Sequence, residues 1–441
     1  SASRCILYFL AFDPALPIAP DPRPALPLVH YTPTIGRVLA RTDWSPAASW
    51  FTFKCTFVSI NHQIGDGGQF EFYRKGEWLL KELSGYTTDN TGSAPEFHNT
   101  LAIQNTSTAG PNAAPTHLQW YETPLWEHGG QWKEGQGAGD PSSTASFGAD
   151  YVFAAGDMTN LYNRPDTIPD SNFIDVTLAT RSTLWVKPDH LVVYDRATTK
   201  TAGRFKRFHL QMASPATITG KLATTTSPAG QRLFIETLLP SAPALTTAPS
   251  FLYPLRPEFG APAWQLNVED PSHPADTRFL HVIQATDAGT PRDVSVRVQS
   301  STGPVFDGAA IGDFLVLFPR LPLTFPDATL TYTVPSGIVR HYLTGLPPHT
   351  GFTAIGAGDQ ITVTPGGPFF TDAAGVLSFD PTLSGFDNWR ANHFGRKFSS
   401  NPDASSDADA DRDGAANLLE YIAATDPLVP SPPLTMTASI S

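Results

Sequence analysis

His62, Asp66, Glu82 and His98 are the residues of this chain best suited to do chemistry together. They lie within residues 61–105, NHQIGDGGQFEFYRKGEWLLKELSGYTTDNTGSAPEFHNTLAIQN, among strand-like residues and between glycine-rich turns. Imidazole and carboxylate groups gathered on a rigid sheet make either a metal site or an acid/base site. The elements that must position them are local. The run Gln69-Phe70-Glu71-Phe72-Tyr73 alternates with the period of a half-buried strand, aromatic on one face and polar on the other. Lys75-Gly76 supplies a hairpin turn, and Trp78-Leu79-Leu80 starts the return strand. Such a hairpin is expected to bring His62 and Asp66, at one strand's entrance, near Glu82 at the far end of the other. His98 then arrives on the next strand.

The same segment resembles the start of the β-sandwich domain of the heparinase II/III-like polysaccharide lyases. Their pattern is a His-x-His-x-Asp-x-Gly-x-Phe strand, a Gly turn, an acidic residue before Ser/Pro-Gly, and a later His-Asn-Thr. This chain supplies His62, Asp66, Gly68, Phe70, Gly76, Glu82, Gly85 and His98-Asn99-Thr100 in that order. Phe12-Asp13-Pro14-Ala15-Leu16-Pro17 resembles the exit from the family's helical domain, and Arg41-Thr-Asp-Trp-Ser-Pro46 its first sandwich strand. The resemblance runs to about Ala197. It implies β-elimination of a uronate-containing anionic polysaccharide, with the base and acid mainly on a helical toroid that this chain lacks. It assigns His62 as the catalytic residue contributed by the sandwich, neutralising charge or transferring a proton. It also implies a zinc ion in some relatives, held by the second histidine, the acidic residue and the histidine of His-Asn-Thr. Glu82 and His98 match the last two. Ile64 replaces the second histidine, which leaves Asp66 or His62 to take its place.

The bulk numbers set the frame. The chain has 441 residues, with Pro 42, Gly 34 and only 16% charged residues, which suits an all-β protein with many turns. From residue 35 to about 380, short runs rich in Val, Thr, Phe, Tyr and Leu alternate with Gly/Pro/Asp/Asn turns, predicting a large antiparallel β-sandwich of stacked sheets. The clearest strands are residues 182–186, 191–194, 207–212, 279–283, 294–298, 314–318 and 361–364. Residues 1–13 are expected to end the helical domain, 14–34 to form a proline-dense linker, 35–383 the sandwich, 384–427 a calcium module and 428–441 a tail. No apolar run reaches the length of a membrane span. The net charge is −12, and residues 401–427 hold six Asp and one Glu against one Arg. Basic character is thus local: Arg74 and Lys75, with Arg204, Lys206 and Arg207, are candidate contacts for sulfate or carboxylate groups. Trp126, in the glycine-rich stretch 120–140, is a further candidate for substrate binding. Cys5 and Cys55 are the only cysteines, so they form one bridge or stay as two thiols.

Near the C-terminus, Phe386 to Phe394 predicts a short amphipathic helix. After it, Asp409-x-Asp411-x-Asp413-Gly414-x-x-Asn417-x-x-Glu420 fits the EF-hand loop, with oxygen ligands at the required spacing and glycine at the sharp turn. A solvated acidic linker would need neither the glycine nor the glutamate. The ending Leu419-Glu420-Tyr421 with Thr425-Asp426-Pro427 resembles dockerin-like calcium modules of secreted bacterial proteins, which implies a structural Ca²⁺ and a secreted, periplasmic or cell-surface location. Two further readings remain: a non-catalytic carbohydrate-binding protein, and a cell-surface structural protein, either of which keeps the sandwich.

Overall fold

Alternation of buried and half-exposed residues in Ser49–Lys54 turns Phe51 and Phe53 inward and Trp50, Thr52 and Lys54 outward, as a one-sided strand requires. The computed structural model describes residues 20–56, 65–82, 95–105, 129–131, 139–163, 174–250, 264–321 and 329–432. Within them the chain is all-β, built from three sheets. The first has nine strands. Val29–Thr32, Arg37–Arg41, Ser49–Lys54, Gln69–Arg74, Glu77–Leu80, Lys206–Met212, Trp264–Glu269 and Ala244–Pro249 lie in that order, and Leu101–Ile103 also pairs with Lys206–Met212. The second has eight strands, and His190–Thr199 lies at its centre between Val176–Val186 and Asp276–Thr286. The third has nine, from Phe369–Phe370 at one edge to Leu377–Phe379 at the other.

Aromatic side chains hold the layers together. Phe51, Phe53, Phe70 and Phe72 face the second sheet, where Phe51 lies 6.0 Å from Trp185, and each buried ring stabilises the fold by about 1.5–3 kcal/mol. The other face of the second sheet meets the third, with Tyr194 stacked on Phe318 at 5.4 Å. The third sheet closes over a core of its own, in which Phe306, Leu315 and Leu317 meet Tyr332, Ile361 and Val363. A third sheet with its own core goes beyond two stacked sheets. One pairing also departs from the antiparallel expectation: Phe314–Pro319 and Arg340–Leu343 run parallel.

The expected hairpin is present as Gln69–Arg74 and Glu77–Leu80, with Lys75 at φ 45° and Gly76 at φ 93° in its turn. Each clear strand named from the sequence lies within an observed strand or overlaps one. The proline-dense stretch is not wholly linker, because Val29–Thr32 adds an edge strand to the first sheet. The predicted helix appears as α1 (Gly385–Phe394), capped by Ser384 through Asp387 N. A second helix, α2 (Asn417–Ala423), follows the acidic loop. Cys5 lies outside the described residues. Cys55 is a buried thiol pushed up to about 12 by burial.

Candidate functional site

Lys54, at the end of an outward-facing row, meets Asp66 as the chain enters the hairpin. Its Nζ donates to Asp66 Oδ2 at 2.7 Å and lies 2.6 Å from Oδ1. Glu82 leaves the return strand nearby, and His98 follows the 3-10 turn Pro95–Phe97. His98 Nδ1 lies 3.2 Å from Glu82 Oε2. One ligand atom each from Asp66, Glu82 and His98 falls within 4.8 Å of the others. The hairpin thus brings together three of the four residues that the sequence singles out. The fourth, His62, lies outside the described residues, as does Trp126.

Backbone anchors fix this cluster tightly. Asn99 N donates to Gln69 Oε1 at 2.6 Å, Asn99 Nδ2 to Phe70 O at 2.8 Å, and Asn99 Oδ1 accepts Gln211 N at 2.6 Å. Thr100 Oγ1 and Gln131 Nε2 both donate to Gly67 O, each at 2.8 Å. Behind them is Arg181, which is 0% exposed. Its Nε and Nη2 donate to Asp195 at 2.6 and 2.9 Å, and its Nη1 donates to Gly68 O at 2.7 Å and Asn99 O at 2.6 Å. A charge of the second sheet therefore bolts down both arms of the site. Neither Lys54 nor Arg181 is singled out by sequence spacing. Lys54 is legible only as the polar partner at the end of an alternating strand, and Arg181 as a cation inside an apolar strand.

The two carboxyls differ in character. Burial pushes Asp66 up, aided by the Glu82 charge and opposed by Lys54. Burial also works to raise Glu82, but the His98 hydrogen bond, the His98 charge and Lys54 override it and hold Glu82 down. A carboxyl raised by burial beside one held low is the one of the pair to take up a proton first as pH falls. The donor set of two carboxylates and an imidazole also fits a divalent cation with an open fourth position, so zinc is chemically compatible, with Asp66 standing where a second histidine would. The Lys54 ammonium already places one positive charge against that set.

Other candidates are engaged elsewhere. Arg74 is 4% exposed and donates to Asp189 at 2.7 Å, Asp287 at 2.7 Å and Gln231 at 2.9 Å, so it is turned inward and closed to a substrate. Lys75 also pairs with Asp287, at 2.7 Å. Arg204 pairs with Asp175 and Arg207 with Glu269, and Lys206 is buried with its Nζ on Arg204 O and Pro274 O. The basic clusters are thus ion-paired or buried, because each finds a carboxylate or carbonyl far along the chain. Tyr162 is buried and donates to Leu101 O at 2.8 Å, a structural hydroxyl pushed up to about 12 by burial.

The C-terminal loop forms a second cluster. Carboxylate oxygens of Asp409, Asp411 and Asp413 fall within 4.8 Å of one another. Asp409 accepts Asp413 N at 3.1 Å and Gly414 N at 3.0 Å, and Gly414 takes φ 98°, a conformation open to glycine. Glu420 is 0% exposed, and its Oε2, Asp411 Oδ2 and Asn417 Oδ1 are buried without a hydrogen-bond partner. Burial, then the charges of Asp411 and Asp413, push Glu420 up to about 7. Asn417 Nδ2 donates to Asp403 O and Ser405 O, each at 2.7 Å. Orphaned buried oxygens around a carboxylate trio suit a hard cation such as Ca²⁺.

No protein-family model matches the chain, and no curated protein matches it. Among solved structures, it is similar to the heparan sulfate lyase HepC from Pedobacter heparinus, at 17% identity and a TM-score of 0.47 over 72% of this chain and 46% of that one. It is similar to a heparinase III, the BT4657 gene product, at 14% identity and a TM-score of 0.45 over 65% of this chain and 41% of that one. A further heparinase III structure is 12% identical, with a TM-score of 0.44 over 66% and 42%. The chain spans less than half the length of each of these proteins.

Proposed function

We propose that this chain is the β-sandwich portion of a secreted bacterial polysaccharide lyase that cleaves uronate-containing anionic polysaccharide by β-elimination, together with a helical toroid. The observation that carries this reading is the convergence of Lys54, Asp66, Glu82 and His98 at strand ends of the first sheet, next in sequence to His62. β-Elimination needs a base for the C5 proton, an acid for the leaving oxygen and neutralisation of the uronate. His62 is assigned to neutralise the uronate or transfer a proton. Lys54 offsets the negative charge of the cluster so that an anionic chain can approach. Asp66, raised by burial beside the depressed Glu82, is the carboxyl of the cluster that takes up a proton first as pH falls. Glu82, His98 and Asp66 would hold zinc; when bound, that ion would fix the three side chains and add positive charge. Asp409, Asp411, Asp413, Asn417 and Glu420 would hold a structural Ca²⁺.

The test follows the ultraviolet absorbance of unsaturated products from uronic-acid polysaccharides, with and without a helical toroid supplied. Product that needs the toroid and is lost in His62→Ala supports the reading. Product unaffected by His62→Ala overturns the assignment of His62. A second reading, a non-catalytic carbohydrate-binding protein, is favoured by Trp50, Tyr73 and Trp78. These half-buried rings form a cluster with centroids 4.6 to 6.2 Å apart on the outward face of the first sheet. It predicts retained polysaccharide and no product under any condition.

A further inference from the structure

A cavity of about 340 Å³ opens where the edge strand Ser142–Phe147 of the second sheet, the edge of the third sheet, α1 and the end of α2 meet. None of the residues of the lyase reading's first cluster lines it. Its walls are aromatic: Phe147 and Phe370 are 42% and 49% exposed, and Tyr421 sits 6.4 Å from Phe370 and 6.0 Å from Trp389. At its floor Asp372 accepts hydrogen bonds from Ser146 and from the amides of Ala374 and Val376. At its rim His393 Nδ1 lies 3.3 Å from Asp426 Oδ1, and among the described residues no partner is found for Asp426 Oδ2 or His393 Nε2. Among the described lining residues there is no lysine or arginine, and the carboxyl groups are those of Asp372 and Asp426.

That combination selects a ligand class. Cavities of this size, mostly apolar with a few convergent polar groups, suit small ligands. A cavity lined by carboxyl groups and lacking lysine and arginine disfavours uronate and sulfate, so it does not suit the anionic polymer of the lyase reading. Flat aromatic walls present their negative faces to the C–H faces of a sugar ring, and carboxylate and imidazole groups at the rim accept hydroxyl protons. We propose that this cavity binds an uncharged pyranose ring, as part of a neutral glycan. The inference stands independently of the lyase reading.

The test uses the whole chain, titrated with neutral hexaoses built from glucose, mannose, xylose or galactose and with a uronate hexaose, followed by tryptophan fluorescence and calorimetry. At least one neutral hexaose is expected to bind, and the uronate hexaose is not expected to compete with it. Phe370→Ala and Asp426→Asn, both at exposed or rim positions, are each expected to weaken binding by about tenfold, the size of one lost ring contact or charge-assisted hydrogen bond. His62→Ala is expected to leave binding unchanged. No neutral hexaose bound, equal binding in both cavity variants and wild type, or displacement by the uronate hexaose would each overturn the proposal. Unchanged circular dichroism of the two variants keeps a loss of binding distinct from a loss of fold.

Discussion

Replacing Arg181 by Met removes the bolt between the second sheet and the candidate site. Arg181 is fully buried, and its guanidinium makes two bonds to Asp195 and one each to Gly68 O and Asn99 O, between 2.6 and 2.9 Å. Its guanidinium carbon lies 5.2 Å from the ring of Phe70 and 5.1 Å from that of Phe208, so methionine fills most of the volume. The lost packing is therefore small, and the penalty comes mainly from stranding Asp195, with a smaller share from Gly68 O and Asn99 O. Breaking a buried pair by deleting one partner costs about 3–5 kcal/mol, a large share of an ordinary domain's total stability. Burial already raises Asp195, so without Arg181 it takes up a proton more readily, and the penalty shrinks as pH falls. Urea unfolding followed by tryptophan fluorescence measures the loss. The double variant Arg181→Met/Asp195→Leu, which removes both charges, is expected to recover most of it. A loss below about 1 kcal/mol, or a double variant no more stable than the single, refutes the reasoning.

The remaining expectations concern the ions and the protons. Lys54→Met removes the ammonium that sits against Asp66 and is expected to tighten zinc binding by about tenfold in calorimetry, whereas unchanged affinity means that Lys54 does not compete with a metal. Glu420→Gln is expected to weaken Ca²⁺ binding by at least about a hundredfold, and wild type at a hundred times its dissociation constant should gain about 2.7 kcal/mol over calcium-free protein. An absence of calcium stabilisation counts against a cation at residues 409–420. Burial lowers His281 to about 3 and His341 to about 4. The folded protein binds fewer protons there than the unfolded chain, so stability is full above about pH 6.5 and falls as pH drops through that value. At about pH 5 the two together are expected to remove roughly 4 kcal/mol, and His341→Phe about half of that dependence, as read by urea titrations at both pH values.

Local periodicity carries local information, and the sequence was legible to that extent. The hairpin Gln69–Arg74/Glu77–Leu80, α1 and the glycine of the acidic loop all follow from spacing within a dozen residues. Alternation in Ser49–Lys54 reports which side chains face inward, but not what lies opposite. Arg74 therefore reads as a surface cation, although its partners Asp189 and Asp287 lie 115 and 213 residues further along the chain. The same distance hides Arg181 as the anchor of Gly68 and Asn99. The parallel pairing of Phe314–Pro319 with Arg340–Leu343 has no pattern of its own, since a strand buried on both faces shows no alternation. Of the candidate site, Asp66, Glu82 and His98 are found together as their spacing suggested. Their neighbour Lys54 carries no local signal, because alternation turns its charge toward solvent.

The hydroxyl of Tyr421 donates to Pro368 O at 3.0 Å, just before the edge strand Phe369–Phe370. Tyr421 directly follows Glu420, the last residue of the acidic loop. On the calcium reading, loading that loop holds α2 in place and, through one phenol, shields the exposed backbone of a sheet edge. Withdrawal of the ion therefore has a spatial address. The first bond offered to a protease should be near Pro368, at the rim of the third sheet, while the first sheet stays intact. The resistance of the molecule to proteolysis would then track the free calcium around it.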